Sequence, residues 1–182
     1  MPGVPQNRCD VVAVPAVSAY SMETQTDPNR ALAQRFYYEV VAEQLGITVA
    51  NGTNGRPSEM CVSVTGEYDI QFSAQPVITT GVGSLADNVQ IWIVVNGTDV
   101  PNSNVKLQMN GGKDIYKVAA WNWFVPLTAR ACVEIYWWYY APGETIEMVA
   151  IPPVNVTASS PALPGIPSII VTVHFVGETG GV

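Results

Sequence analysis

From residue 46 onward, the chain alternates short apolar runs with clusters of Gly, Pro, Asn and Asp. The runs are rich in β-branched and aromatic residues, which is the pattern of β-strands bounded by turns. The predicted strands are ITVA, MCVSV, YDIQFSA, VQIWIVV, VKLQM, YKVAAWNWFVPL, CVEIYWWYY, IEMVA and IPSIIVTVHFV. No helical pattern of about 10–15 residues separates them, so the sequence favours an antiparallel all-β sandwich over a parallel α/β sheet.

The first part of the chain has a different composition. Residues 1–30 are rich in Pro, Gln, Asn and Thr, with one apolar patch, VVAVPAVSAY, that could add a strand. We predict an extended N-terminal arm over residues 1–30 and one domain over residues 31–182. Residues 31–45 allow two interpretations. The spacing of Leu32, Phe36 and Val40 is that of a helix, whereas the run RFYYEVV is aromatic and β-branched enough for a strand. We favour the strand.

The stretch VNGTDVPNSN, residues 95–104, joins two of the predicted strands. Asn96 and Gly97 tolerate the positive φ that tight hairpin turns require. Pro101 cannot donate to a strand ladder, and the Asn and Ser residues after it can bond their own backbone, which predicts a second turn. We interpret the stretch as part of the scaffold rather than as a ligand site.

Period-two alternation in CVEIYWWYY separates two faces, and both carry aromatic rings. Val133, Ile135, Trp137 and Tyr139 share one face. The other face carries large half-polar rings where a solvated strand would have Thr, Lys or Glu, which favours a surface covered by another chain. The candidate subunit-interface residues are Trp121, Trp123, Tyr136, Trp138 and Tyr140. The alternative is that these rings close the ends of the monomer's own core.

Composition supports association between identical chains. Only 13% of the residues are charged, against roughly 25% in typical soluble domains, and 48% are hydrophobic. A large monomeric β core with neutral loops is the alternative. The net charge of −7, with eight Lys and Arg, argues against nucleic-acid binding.

The remaining sequence features also restrict the class of protein. No apolar window approaches the length of a membrane span, and MPGVPQNRCD lacks the features of a signal peptide, so we expect synthesis in a cytoplasm and no membrane partner. Cys9, Cys61 and Cys132 are odd in number and have no CxxC spacing. We therefore predict neither a disulfide framework nor a zinc site, and interpret the three as small buried residues.

The sequence contains few of the features expected of an enzyme. His174, the single histidine, has no acidic residue nearby in sequence, so we interpret it as structural or exposed. Glu67, Asp69 and Glu134 are the carboxylates that a glycan-cleaving enzyme would use. No phosphate-binding or dinucleotide motif is present. We predict a protein that is not an enzyme and has no cofactor or catalytic metal; a loose calcium site of Asp and Asn oxygens stays open as an alternative.

Five blocks of the sequence occur in an order that resembles a known family. They are GEYDIQFSAQ at 66–75, VQIWIVVNGTDVPNSN at 89–104, VAAWNWFVPL at 118–127, VEIYW at 133–137 and PGIPSIIVTV at 164–173. Together they resemble the jelly-roll domain, similar to the tumour-necrosis-factor and complement-head fold, that occurs in structural proteins of tailed phages. TARAC at 128–132 departs from the Gly-Asp turn that this family usually has there.

The resemblance implies a homotrimer of jelly rolls that serves as a virion component. Within that class we favour a capsid decoration or cement protein that binds the major capsid protein and lies on the outer surface of the capsid. The alternative is a receptor-binding domain of a tail or head fibre that recognises host surface glycans. The fold itself does not decide between the two.

Overall fold

The computed structural model describes residues 13–155 and 161–178. All of their regular structure is β-strand, and none of them forms a helix of the length and hydrophobicity that spanning a bilayer requires. The strands are β1 (Ala16–Ser21), β2 (Gln34–Arg35), β3 (Val40–Leu45), β4 (Ile47–Asn51), β5 (Pro57–Val62), β6 (Gly66–Ala74), β7 (Pro76–Thr80), β8 (Asn88–Val95), β9 (Thr98–Asp99), β10 (Val105–Gln108), β11 (Ala119–Leu127), β12 (Cys132–Tyr140), β13 (Thr145–Met148) and β14 (Ile169–Gly177).

Two antiparallel sheets form the sandwich. The first sheet has the order β11-β6-β14-β1-β3, and the second has the order β10-β8-β12-β5-β4. β2 adds to β12, β9 adds to β8, and β7 and β13 form a separate two-stranded sheet. The predicted all-β antiparallel jelly roll is therefore confirmed. Each predicted strand is present, whereas β7 and the short strands β2 and β9 were not predicted.

The N-terminal boundary differs from the prediction. β1 lies inside the first sheet, where it pairs with β14 on one side and with β3 on the other. Val17 and Ala19 are buried in the core, and Gln25 pairs through its backbone with Met148. The domain therefore begins at least as early as β1, because an apolar strand in a buried register belongs to the sandwich. Residues 1–12 of the predicted arm lie outside the described residues.

The segment over residues 31–45 forms strands rather than a helix. β2 pairs with β12, and β3 pairs with β1, so the segment contributes to both sheets. Between the two strands, Phe36 and Tyr38 are fully buried. Of the three residues whose spacing suggested a helix, only Phe36 enters the core, whereas Leu32 is exposed and Val40 is half-buried.

The core lies between the two sheets and follows the predicted alternation of β12. Val133, Ile135, Trp137 and Tyr139 are buried, whereas Tyr136, Trp138 and Tyr140 lie on the opposite face of the strand. Trp137 stacks on Phe36 with their ring centroids 5.9 Å apart. Dense aromatic and aliphatic packing of this kind is the main source of stability in a sandwich.

Cys61 and Cys132 form a disulfide bond, which corrects the prediction of unbonded buried cysteines. The two residues are separated by 71 positions in the sequence, but they are directly opposite each other on β5 and β12. The prediction failed because cysteine spacing alone carries no information about strand register. β5 and β12 share only two paired positions, so the bond reinforces a short contact within the second sheet.

The stretch at residues 95–104 contains both predicted turns. Asn96 and Gly97 have φ values of 50° and 77° and form a two-residue turn between β8 and β9. Two successive positive φ angles are the geometry of a type I′ hairpin turn. The second turn places Asn102 at φ 63°, and the Ser103 hydroxyl donates a hydrogen bond to the Val100 carbonyl at 2.8 Å.

Replacing Gly97 with Ala should lower the free energy of unfolding by about 1–2 kcal/mol, because a side chain is strained in the left-handed region. The cost is conformational rather than steric, since a Cβ atom at Gly97 would meet nothing within 4 Å. Gly177→Ala is the matched control, because that position is equally open and does not have a left-handed φ. Urea denaturation of both variants measures the difference, and equal midpoints would contradict the turn assignment.

Candidate functional site

The five predicted interface residues lie in three different places. Trp123 is buried in the chain's own core, and Trp121 is 56% exposed on the edge strand β11 of the first sheet. Tyr136, Trp138 and Tyr140 lie together on the outward face of the second sheet, the face turned away from the core. These residues therefore do not form one continuous patch on a single chain.

Trp123 links the two sheets. Its ring stacks on Phe72 with the ring centroids 5.0 Å apart, and its indole N–H donates a hydrogen bond to the Ser103 carbonyl at 2.9 Å. Ser103 follows the second turn of the 95–104 stretch, so this bond ties strand β11 to the connector between β9 and β10. Trp123 matches the alternative drawn from the sequence, in which a ring closes the monomer's own core.

The outward face of the first sheet exposes apolar side chains to solvent. We call it the β14 face. It is centred on β14 and extends over β1, β6 and β11. Its residues include Tyr20, Gln71, Ser73, Asn122, Phe124, Ile170 and Thr172. Phe124 is 58% exposed and Ile170 is 40% exposed, so two large apolar side chains contact water on the same side of the sheet.

Charge lies towards one end of the β14 face, and Phe124 on β11 is at that same end, directly opposite Asp69 on β6. Asp69 lies beside His174 across β6 and β14, and Glu67 follows further along the same strand. The Asp69 carboxylate accepts hydrogen bonds from Gln71 at 2.6 Å and Asn122 at 3.3 Å. His174 thus has an acidic neighbour that its local sequence does not reveal. The rest of the face presents neutral polar and apolar groups.

The outward face of the second sheet carries a different aromatic cluster. Trp92 on β8 lies beside Tyr136 on β12, with ring centroids 6.0 Å apart, and Trp138 lies beside Tyr140 at 6.4 Å. The Arg35 guanidinium covers the other side of the Tyr136 ring at 4.9 Å. Burial raises the pKa of the Tyr136 hydroxyl, and the neighbouring Glu134 carboxylate raises it further, so the phenol stays neutral near pH 7. Sequence reasoning missed Trp92, although alternation in β8 places it on this face.

Next to this cluster is an open groove of about 360 Å³, which we call the Trp92 groove. It lies between the outward face of the second sheet and the 95–104 stretch. The side chains that line it include Gln90, Trp92, Asp99, Asn102, Asn104 and Trp138. The sequence predicted only a scaffold role for the 95–104 stretch, whereas the structure also makes it one wall of a groove.

Hydrogen bonds hold the side chains of the Trp92 groove in place. The Trp92 indole N–H donates to the Asp99 carboxylate at 2.8 Å, and the Trp138 indole N–H donates to the Arg30 carbonyl at 2.7 Å. The Asn104 amide donates to the Gln90 side-chain oxygen at 2.8 Å. Both indole rings therefore keep fixed orientations and need little reordering to make contact with a ligand.

The comparisons with known proteins support the fold. No family model and no curated protein matches this chain. Among solved structures, the globular domain of zebrafish complement 1qA protein is similar, with a TM-score of 0.51 and 10% sequence identity. The match covers 91% of this chain and 99% of that chain. At this identity the likeness establishes the complement-type jelly roll alone, which agrees with the fold that the resemblance implied.

The carboxylates considered for glycan cleavage are not brought together. Glu67 and Asp69 lie on β6 in the first sheet, whereas Glu134 lies on β12 in the second sheet. Glu134 is buried, and its carboxylate forms an ion pair with Arg35 at 2.7 Å and accepts a hydrogen bond from Ser58 at 3.2 Å. The three residues therefore do not form one site, since Glu134 lies on the other sheet from Glu67 and Asp69.

Glu59 lies beside the two bonded cysteines, and all three residues are of types that bind metal ions. Among the described residues, Glu59, Cys61 and Cys132 are the group whose ligand atoms lie close enough together to share an ion. Both sulfurs are engaged in the disulfide bond, and a metal would need them as thiolates. The cluster is therefore better described as part of the covalent link between β5 and β12.

Proposed function

We propose that this chain is a non-enzymatic, self-associating jelly-roll module that forms a trimer and serves as a structural protein on the outer surface of a phage virion. The β14 face is the observation that carries the proposal. Phe124 and Ile170 expose apolar area there, beside neutral groups such as Asn122 and Thr172. Covering this face with another copy would remove apolar surface from water, with Ile170 lying away from the charged end of the face.

The distribution of charge on the chain favours a second copy of the same chain as the partner that covers the β14 face. Each chain carries a net charge of −7, so identical chains repel each other over most approaches. Away from Glu67 and Asp69 the β14 face presents neutral groups, and there two copies can meet with the least repulsion. The proposed stoichiometry of three chains comes from the resemblance to trimeric jelly rolls. The β14 face by itself predicts that copies associate but not how many.

The virion assignment rests on the five sequence blocks and is supported by the disulfide bond. Disulfide bonds persist on surfaces that face oxidising surroundings, which include virion surfaces. In the favoured role, a rigid trimer contacts several copies of the major capsid protein at once, and multivalency turns weak single contacts into firm attachment. The module would then act as a capsid decoration or cement protein.

The alternative role, recognition of host surface glycans by a tail or head fibre, requires a different surface. The Trp92 groove is the observation that favours it, because the groove lies on the second sheet and stays accessible when the β14 face is covered. The two roles are compatible in one molecule, since they use opposite sides of the sandwich.

Light scattering of the purified chain should give an absolute mass of three chains. Association through the β14 face is expected because it buries apolar area that a lone chain leaves in water. A stable monomer at micromolar concentration would overturn the proposal.

Attachment to the capsid is tested separately from association. A variant that lacks residues 1–12 should form an oligomer with the same number of chains as the parent, because the described sandwich begins after those residues. Sedimentation with capsid shells prepared without this protein then measures attachment. Loss of attachment in the shortened variant would assign the arm to shell binding, and failure of both proteins to sediment with shells would overturn the capsid role.

A further inference from the structure

The side chains of the Trp92 groove combine two chemistries that occur together in sugar recognition. Trp92 and Trp138 offer flat apolar surface, and Gln90, Asn102 and Asn104 offer amide donors and acceptors. The carbon-bound hydrogens on one side of a pyranose ring pack against an indole, while its hydroxyl groups need polar partners around the edge. An aromatic floor with amides at its rim meets both needs.

Hydrogen-bonding capacity remains available on the wall of the groove. Within the described part of the chain, the Asn102 side-chain amide has no hydrogen-bond partner. Asp99 uses one carboxylate oxygen for the Trp92 indole, and Asn104 uses its amide nitrogen for Gln90. The second carboxylate oxygen of Asp99 and the side-chain oxygen of Asn104 are left as acceptors for ligand hydroxyl groups.

Charge and size narrow the class of ligand. None of the side chains that line the groove is Lys or Arg, and Asp99 places a negative charge at its rim, so a phosphate, a sulfate or an acidic sugar would be repelled. The volume of about 360 Å³ is near the lower end of small-molecule sites, which suits about one or two sugar rings. A neutral end group of a glycan fits these limits.

We propose that the Trp92 groove binds a neutral hexopyranose unit at the end of a glycan, with Trp138 and Trp92 as its stacking surface and Asn102, Asn104 and Asp99 as its hydroxyl contacts. All of these residues belong to one chain, so each copy holds a complete site. The proposal therefore does not rest on self-association. If three copies do associate through the β14 face, three sites would act together on a host surface.

Intrinsic tryptophan fluorescence provides the test, because a sugar that stacks on Trp138 or Trp92 changes its emission. The probes are the methyl glycosides of glucose, galactose, mannose and N-acetylglucosamine, with N-acetylneuraminic acid as the anionic counterpart. At least one neutral glycoside should give a saturable change, and the acidic sugar should not. No saturable change with any neutral glycoside would overturn the proposal.

Two variants locate the site. Trp138→Ala removes part of the stacking surface and should weaken binding by about tenfold or more. Asn102→Gly removes the amide while keeping a residue that adopts the positive φ of 63°, and should weaken binding severalfold without strain. This second variant keeps the test valid even if Trp138→Ala unfolds.

Trp121→Ala is the matched control, since it removes an exposed tryptophan that belongs to the first sheet and does not line the groove. Its affinity for the sugar should equal that of the parent, even if its mass by light scattering changes. Equal loss of sugar affinity in Trp121→Ala and Trp138→Ala would overturn the proposal. So would dissociation of the oligomer by Trp138→Ala, because that result would make the groove a subunit interface.

Discussion

Replacing Ile170 with Glu should separate the oligomer into single folded chains. Ile170 lies on the central strand of the β14 face and is 40% exposed, so a carboxylate there stays hydrated in the isolated chain. In a complex that covers the face, the same carboxylate would be buried without a partner, and that costs several kcal/mol for each copy. We expect the dissociation constant to rise by about 100-fold or more.

Light scattering over a range of concentrations measures this effect, and circular dichroism checks that the variant keeps its fold. Leu85→Glu is the matched control, because Leu85 is an exposed aliphatic side chain in the loop before β8 rather than on the β14 face. The control should keep the mass of the parent. If Ile170→Glu keeps that mass as well, the β14 face is not the subunit interface.

Removing the disulfide bond should have the largest effect on the stability of the chain itself. The bond closes a loop whose ends are 71 positions apart, so it restricts the unfolded chain strongly. It also reinforces β5 and β12 where only two positions of these strands pair. For the double variant Cys61→Ala with Cys132→Ala, we expect a loss of about 2–4 kcal/mol and a drop in melting temperature of about 4–16 °C.

Thermal unfolding of the oxidised parent and the double variant at equal concentration tests this prediction. A reducing agent supplies an internal control: it should lower the melting temperature of the parent towards that of the variant and leave the variant unchanged. If reduction does not alter the melting temperature of the parent, then the bond is either absent or without effect on stability.

The fold could be predicted because the sequence pattern of each strand is local. In β12, strict alternation assigned Trp137 to the core and Trp138 to the opposite face, and the structure agrees. The turn at Asn96 and Gly97 was predictable for the same reason, since its geometry depends on two adjacent residues. These local patterns can be recognised in the sequence because they do not depend on contacts between distant residues.

Features that depend on register between distant strands could not be predicted. The pairing of Cys61 with Cys132 and the contact of Asp69 with His174 both join residues that are far apart in sequence. The Trp92 groove depends on register too, because β8 and β12 bring Trp92 and Trp138 together only after their strands pair. Sequence alternation gives the face of each residue but not its neighbour on the next strand.

Alternation alone also failed to separate Trp121 from Trp123. Both residues have the same phase on β11, yet Trp123 is 8% exposed and Trp121 is 56% exposed. Trp123 is covered by Phe72 and by the connector at Ser103. Trp121 has no such cover, and strand phase alone does not reveal which inward positions the opposing layer covers.

The position of β14 has a consequence for the order of events during synthesis. β14 is the last strand of the described residues, yet it lies between β6 and β1 near the centre of the first sheet. Until the ribosome has released that strand, β1 has no partner on one side, and the β14 face does not exist as a surface. Association through this face therefore has to wait until β14 has left the ribosome, so nascent chains on neighbouring ribosomes cannot use it before that point.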